Sequence, residues 1–178
     1  MKERARSFAA HAHEGQFRKG TDRPYIVHPI EVAEIVSEMT DDEEIICAAY
    51  LHDTVEDCKG VTKQMLAKNF SERVADIVAG ESEDKTKSWM ERKTATIEHL
   101  KSASPEVKII CLADKLSNIR DIDRDYHVVG EELWNRFRMK DKNMIGWYYK
   151  SIRDALKESL GDTEQYQEYC FLICKNFE

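Results

Sequence analysis

Residues 51–57, with the sequence LHDTVED, bring four ionisable side chains close together. His52 and Asp53 come first, and Glu56 and Asp57 follow one helical turn later, so that residues four apart share one face of a helix. Carboxylates in such a cluster repel each other and lose hydration when they are buried. A divalent cation offsets that cost and accepts imidazole and carboxylate groups as ligands. The segment therefore indicates a metal site, with a solvated helix end as the alternative.

Two side chains elsewhere in the sequence are candidates to complete this site. His28, in PYIVHP, lies where a loop passes into a helix, so its side chain can point back into a cleft. Asp114 ends the apolar stretch 107–113, and a buried aspartate needs a partner, for which Lys115 or a backbone amide is the alternative to a metal. The candidate ligands are His28, His52, Asp53 and Asp114. Two neutral nitrogens and two anionic oxygens balance one divalent ion and suit Mn²⁺ or Fe²⁺ better than a thiolate zinc site.

Basic residues gather near the same motifs, although the chain carries a net charge of -7. The overall acidity argues against a DNA- or RNA-binding surface. The basic residues near the motifs are Arg18, Lys19, Arg23, Lys85, Lys87, Arg92, Lys93, Lys115 and Arg120. Each alone is typical of a solvated surface, but together they could line a pocket for a polyphosphate. Asn118, one helical turn after Asp114, could present its amide to a sugar or a base.

The elements that position these residues are predicted to be helices only. With 178 residues, 7 Gly and 3 Pro, the chain fits one helix-rich domain, and no segment alternates as a half-buried strand does. We predict helices over residues 3–13 and 28–39, a loop over 15–27, a further helix from the N-cap Asp41 through IICAAYLHDTVE, and a loop over 80–87. The remaining signals are caps at Thr62, Ser71, Ser88 with Glu91, and Ser104 before Pro105, with more helices after Gly130 and a stop at Gly161.

The compartment is predicted from what the sequence lacks. The N-terminal segment MKERARSFAA has no apolar core of a signal peptide, and no run approaches the roughly 20 apolar residues of a membrane span. The five cysteines include no CxxC pair, which argues against a zinc ribbon or a thioredoxin-like site. A reducing cytoplasmic location without a membrane partner is therefore expected.

Four segments of the chain resemble the hydrolase domain of RelA/SpoT homologues, in the order and spacing of the small alarmone hydrolases. They are AHAHEGQFRKGTDRPYIVHPIEVAEIV, AAYLHDTVED, ERK and KIICLADKLSNIRDI, and the resemblance covers residues 5–156. It implies a single all-α HD-domain bundle over residues 1–178, with a helical extension after 156. It also implies an enzyme of the stringent response, which removes the 3′-diphosphate of (p)ppGpp with Mn²⁺.

The resemblance also implies roles for individual residues. His28, His52, Asp53 and Asp114 would hold the metal, Glu56 and Asp57 would position and activate water, Arg18 and Lys19 would contact the guanine side, Asn118 the nucleoside and Lys93 a phosphate. The chain departs from the family late in the pattern, where, with Trp147 aligned, Met144 takes the place of a tyrosine. Tyr148 is the candidate replacement in substrate binding, with Tyr149 as the alternative; both could instead be core aromatics.

Two other functions remain open from the sequence. The same metal site could serve an HD phosphohydrolase that acts on another phosphorylated nucleotide, such as a nucleoside monophosphate or NADPH. Alternatively, the chain could be a non-catalytic alarmone sensor or a helical interaction module, although the intact HDxxED pattern argues against this. A small nucleotide is the expected partner of either hydrolase, and an oligomer is compatible with all three functions.

Overall fold

The structure, a computed structural model, describes residues 1–81 and 83–178 and contains helices throughout. The helices are α1 (Lys2–Ala12), α2 (Val27–Met39), α3 (Glu43–Leu51), α4 (Thr54–Asp57), α5 (Lys63–Asn69), α6 (Glu72–Glu81), α7 (Trp89–Ser102), α8 (Pro105–Val129), a 3-10 helix (Gly130–Arg136), α9 (Lys142–Leu160) and α10 (Glu164–Phe177). Among the described residues, the extended pairing is limited to one bridge between Phe17 and Pro24. The all-α prediction is confirmed. None of the helices described has the length and apolar character of a membrane span.

The central helix of the bundle is α8, which packs against α2, α6, α9 and α10. Its start follows the predicted signals: the Ser104 side chain accepts a hydrogen bond from the Val107 amide, and Pro105 occupies the first turn. The helix is long, at 25 residues, because apolar side chains on most of its circumference are buried, including Leu112, Leu116 and Ile119. Core packing therefore fixes α8 rigidly, and Asp114 and Asn118 project from it.

One helix predicted over the HDTVED segment is broken in the structure. The N-cap is Asp42, not Asp41, and its carboxylate accepts a hydrogen bond from the Glu44 amide at 3.0 Å. Helix α3 ends at Leu51, and the four-residue α4 starts at Thr54. The side chains compete for the backbone: His52 Nδ1 donates to the carbonyl of Ala49 at 2.8 Å, and Thr54 Oγ1 donates to that of Leu51 at 2.7 Å.

Most other boundaries agree with the sequence signals. Thr62, Ser71 and Ser88 cap their helices, Ser88 and Glu91 form the full capping box, and α9 ends at Leu160 with Gly161 as its C-cap. The loop predicted over 80–87 is wrong at its start, because Gly80 and Glu81 extend α6. Ser82, in the middle of that prediction, lies outside the described residues.

Helix α10 lies beyond the segment that carries the family resemblance, and it packs against α8 and α9. Tyr169 is fully buried, and its hydroxyl donates to the carbonyl of Tyr149 at 3.0 Å. We therefore expect Tyr169→Ala to lower the free energy of unfolding by about 3–5 kcal/mol, as large-to-small core substitutions do. Denaturant titration measures this, with the exposed Phe171→Ala as the matched control. Two separate unfolding transitions in the wild type would contradict a single domain over residues 1–178.

Candidate active site

A cavity of about 800 Å³ lies between the loop before α2, the turn between α3 and α4, and one side of α8 and α9. The residues to which the sequence assigned an individual role as metal ligand, acid or substrate contact all line it. They are Arg18, Lys19, His28, His52, Asp53, Glu56, Asp57, Lys93, Asp114, Asn118 and Tyr148. Of the other basic residues that could line a polyphosphate pocket, Lys85, Arg92 and Lys115 do so, whereas Arg23, Lys87 and Arg120 do not. The three separate stretches that the sequence analysis combined therefore converge on one site.

The two histidines present the same ring nitrogen to the cavity. The Ser117 hydroxyl donates to Glu31 at 2.8 Å, so its oxygen is left to accept the hydrogen bond from His28 Nδ1 at 2.9 Å. His52 Nδ1 donates to the Ala49 carbonyl. Both Nδ1 atoms therefore carry the proton in the neutral rings, and both Nε2 atoms have a lone pair directed at the site. Outer partners that fix the tautomer in this way are typical of metal-ligating histidines.

The carboxylates face these nitrogens at short range. Asp114 Oδ1 lies 3.1 Å from His28 Nε2 and 3.9 Å from His52 Nε2. Asp53 Oδ2 lies 3.6 Å and 3.1 Å from the same two nitrogens. Ligand atoms of His28, His52 and Asp114 all lie within 4.8 Å of one another, a spacing at which one ion can contact all three. Asp53 lies next to this group, because its Oδ2 atom is close to both imidazole Nε2 atoms.

The chemistry of this donor set fits a divalent cation. His52 Nε2 is buried, and in the neutral ring it faces only carboxylate oxygens, which are acceptors like itself, so it has no hydrogen-bond partner among the described residues in that form. Burial disfavours a charged His52, yet the neighbouring Asp53 carboxylate outweighs it and raises the pKa of His52 to about 9. The negative charge of the two carboxylates is therefore stabilised by a positive charge placed between them and the imidazoles. A divalent ion supplies it and accepts nitrogen and oxygen ligands together.

Tyr25 is a functional candidate that the sequence analysis missed. Its hydroxyl donates to Asp53 Oδ2 at 2.6 Å, and its ring stacks on the buried His13 with centroids 4.7 Å apart. Burial, together with the Asp53 carboxylate, raises the pKa of the Tyr25 hydroxyl, which therefore keeps its proton and remains a donor. The signal available in the sequence was its position three residues before His28, on the same loop-to-helix transition.

We expect Tyr25→Phe to lower activity by about ten- to a hundredfold, because a partner that orients a metal-ligating carboxylate is removed. Steady-state kinetics at several Mn²⁺ concentrations measure the loss, which should shrink as Mn²⁺ rises. Tyr126→Phe is the matched control, since that hydroxyl donates to Glu131 over the same 2.6 Å outside the cavity. Equal activities of the two variants would contradict a positioning role for Tyr25.

The acidic pair after the HD motif is held by the loop that precedes α7. The Glu83 amide donates to Glu56 Oε2 at 3.2 Å, and the Lys85 ammonium donates to the carbonyl of Glu56 and to the Asp57 carboxylate. Burial and the nearby negative charges of Asp57 and Asp53 raise the pKa of Glu56. Glu56 is therefore a stronger proton acceptor than an exposed glutamate, although Lys85 forms ion pairs with both carboxylates.

Two ammonium groups and a phenol form another wall of the cavity. Lys93 Nζ and Lys115 Nζ lie 4.7 Å and 5.7 Å from the centre of the Tyr148 ring. Lys93 donates to Glu83 at 2.7 Å, and Lys115 donates to Asp114. The Tyr148 hydroxyl is buried without a hydrogen-bond partner among the described residues. A buried donor in this position beside two cations is suited to an anionic ligand.

Tyr148 and Tyr149 are the two candidates to replace the family tyrosine that Met144 displaces. Tyr148 and Tyr149 both line the cavity, whereas Met144 does not. Met144, one helical turn before Tyr148, therefore lies outside the cavity lining, whereas both candidate tyrosines are part of it. Tyr149 additionally accepts the hydrogen bond from Tyr169 through its carbonyl, which ties this face of α9 to α10.

The loop before α2 is joined to α8 through side chains. Arg18 donates from Nη2 to Asn118 Oδ1 at 2.7 Å and from Nε to Asp121 at 3.0 Å, and its guanidinium lies 5.5 Å from the centre of the Tyr25 ring. Asn118 Nδ2 in turn donates to Asp114 Oδ1 at 2.6 Å. The Asn118 amide thus bridges the loop and a candidate metal ligand, a contact that the sequence analysis did not predict.

A family model described as the HD domain matches residues 5–139 of the chain. The guanosine-3′,5′-bis(diphosphate) 3′-pyrophosphohydrolase MESH1 of Xenopus tropicalis is 42% identical over 123 residues, which cover 67% of this chain and 68% of that protein. The mouse (Mus musculus) protein of the same name is 35% identical over 167 residues, which cover 92% and 87%.

A solved structure of a metazoan ortholog of SpoT, described as hydrolysing ppGpp, superposes with a TM-score of 0.84 at 26% identity. The superposition covers 99% of this chain and 95% of that one, so it includes α10. These similarities confirm the resemblance that the four sequence motifs indicated. The chain belongs to the HD domain family.

Proposed function

We propose that this chain is a metal-dependent hydrolase that removes the 3′-diphosphate of the guanosine alarmones ppGpp and pppGpp, and that Mn²⁺ is its metal. The observation that carries the proposal is the pair of imidazole Nε2 atoms facing the buried Asp114 and the half-buried Asp53 carboxylates in a cavity lined by basic residues. Relatives that cover most of the chain bear the name of this activity. The small-molecule partner is a nucleotide, and a cytoplasmic location remains a prediction.

The reaction adds water to the phosphorus that is bonded to the ribose 3′ oxygen. The bond between that phosphorus and the 3′ oxygen breaks, and the products are pyrophosphate and GDP or GTP. His28, His52, Asp53 and Asp114 would hold the metal. When bound, a divalent ion supplies Lewis-acid chemistry, which makes water a better nucleophile at neutral pH and offsets the charge of a diphosphate.

Glu56 serves as the general base in this proposal. Its raised pKa makes its carboxylate a stronger proton acceptor than an exposed glutamate, and it lies on the short helix directly after the metal-binding pair. The proton that Glu56 Oε accepts from the attacking water is then available to the ribose 3′ oxygen when the bond breaks. Asp57, fixed by Lys85, orients the water.

The cations and the phenol stabilise the charge of the diphosphate. Lys93 and Lys115 lie over the Tyr148 ring. A phosphate oxygen near the Tyr148 hydroxyl is therefore close to two ammonium groups in a part of the site that is partly shielded from water. Arg18, Lys19 and Asn118 bind the guanosine end of the substrate, which includes its 5′ phosphates. Arg18 is already held by Asn118 and Asp121, so its planar guanidinium is preorganised to stack on a base.

Product analysis against a small panel of nucleotides tests this function. Purified protein with Mn²⁺ should release pyrophosphate and GDP from ppGpp, with little turnover of NADPH or nucleoside monophosphates, as followed by anion-exchange chromatography. Faster turnover of NADPH or a monophosphate would favour the other phosphohydrolase function. Tight binding of ppGpp without any product would favour a non-catalytic sensor.

A further inference from the structure

Eight basic side chains line the cavity, and six of them have a carboxylate partner. The partnered residues and their acids are Arg18 with Asp121, Lys85 with Asp57, Arg92 and Lys93 with Glu83, Lys115 with Asp114, and Arg136 with Asp125. Lys19 and Arg138 are the other two, and their side chains make no ion pair or hydrogen bond with residues 1–81 or 83–178. Their positive charge is therefore available to a ligand.

These two cations lie at the same side of the cavity, because the segment after the 3-10 helix packs on the loop before α2. Arg136 crosses directly over Gly20, where an added Cβ would lie 2.6 Å from Arg136 Cδ. Asp125 fixes that arginine at 2.9 Å, and Arg138, two residues later, lines the same cavity as Lys19. In agreement, burial, Arg18 and then Arg138 lower the pKa of the Lys19 ammonium, although Asp57 acts in the opposite direction.

Two unneutralised cations that line one cavity repel each other, and an anion between them removes that repulsion. The substrate has two separate phosphate chains. The 3′ chain must lie at the metal-binding cluster to react, so the 5′ chain occupies another part of the cavity. Arg138 offers a guanidinium that can donate two hydrogen bonds to one phosphate, and Lys19 adds an ammonium.

We propose that Lys19 and Arg138 form a second anion site, which binds the 5′-phosphate chain of the substrate and makes the enzyme prefer longer chains. This inference rests on the proposed function for the identity of the ligand. It assigns a role to the segment after the 3-10 helix, for which the sequence analysis had none. It also separates the recognition of the uncleaved phosphates from the cleavage of the 3′-diphosphate.

Three guanosine 3′-diphosphates that carry one, two or three 5′ phosphates test the inference. In the wild type, kcat/KM should rise with the number of 5′ phosphates, mainly through KM. In Arg138→Ala the advantage of the 5′-triphosphate over the 5′-monophosphate should fall by about fivefold, the range of an exposed ion pair. Lys140→Ala is the matched control, because Lys140 is an exposed cation two residues further along that does not line the cavity.

Calorimetric titration with GTP, which has no 3′-diphosphate, measures the anion site without hydrolysis. Its affinity should fall in Arg138→Ala and not in Lys140→Ala. If ppGpp is hydrolysed but Arg138→Ala changes neither the chain-length dependence nor the GTP affinity, the anion site is overturned and the hydrolase function stands. If no guanosine 3′-diphosphate is hydrolysed but GTP affinity falls in Arg138→Ala, the anion site stands and the proposed function is overturned.

Discussion

Asp53→Ala should lower kcat for ppGpp by about a thousandfold or more, with no rescue by saturating Mn²⁺. The Asp53 carboxylate faces both imidazole Nε2 atoms and balances half the charge of a divalent ion. Its loss removes one ligand and leaves a single carboxylate to balance the ion. Loss of even one group that stabilises developing charge costs about 10²–10³ in rate, and a metal ligand should cost at least as much.

The control for this substitution is Asp162→Ala, which removes an exposed aspartate between α9 and α10. Stopped assays with product separation give the rates, and thermal unfolding shows whether both variants remain folded. Mn²⁺ titration should show weaker binding in Asp53→Ala than in Asp162→Ala. Turnover of ppGpp at the wild-type rate by Asp53→Ala in the presence of a chelator would rule out the metal mechanism.

Glu56→Gln should lower kcat by about 10²–10⁴ while Mn²⁺ affinity and KM change little, because the substitution keeps the size of the side chain and removes the proton acceptor. Asp57 is held against the Lys85 ammonium, so we assign it to orienting the water and not to accepting its proton. Asp57→Asn should therefore lose less kcat than Glu56→Gln. A larger loss in Asp57→Asn would transfer the role of general base to Asp57.

The pH dependence of the wild type follows from the same assignment. Glu56 acts only when it is deprotonated, and burial raises its pKa, so kcat should fall as the pH drops through a value above that of an exposed glutamate. Glu56→Gln should remove that acidic limb from the profile. The comparison of pH profiles separates loss of a base from a general disturbance of the site, since only the former changes the shape of the curve.

The residues with the strongest chemical constraints could be predicted from the sequence. His28, His52 and Asp114 lie in separate stretches, but each carries a group that is costly to bury without a partner, and the structure brings them within reach of one ion. Capping residues such as Ser88 and Ser104 could also be predicted, because a side-chain hydrogen bond at a helix start depends on only a few neighbouring residues.

What the sequence could not predict depends on contacts between distant segments. The break after Leu51 arises where the His52 and Thr54 side chains take backbone carbonyls, and periodicity alone does not reveal that competition. The bond from Tyr25 to Asp53 and the presence of Arg138 and Lys19 in one cavity require loops to meet across the fold. Loop placement follows from tertiary packing, so no local pattern encodes it.

Diffraction from crystals grown with Mn²⁺, measured at the manganese absorption edge, would test the metal centre most directly. We expect one anomalous peak in the cavity within bonding distance of His28 Nε2, His52 Nε2 and carboxylate oxygens of Asp53 and Asp114. A fully bound ion that is out of reach of His28 or Asp114, or a cavity without any peak at saturating Mn²⁺, would contradict it.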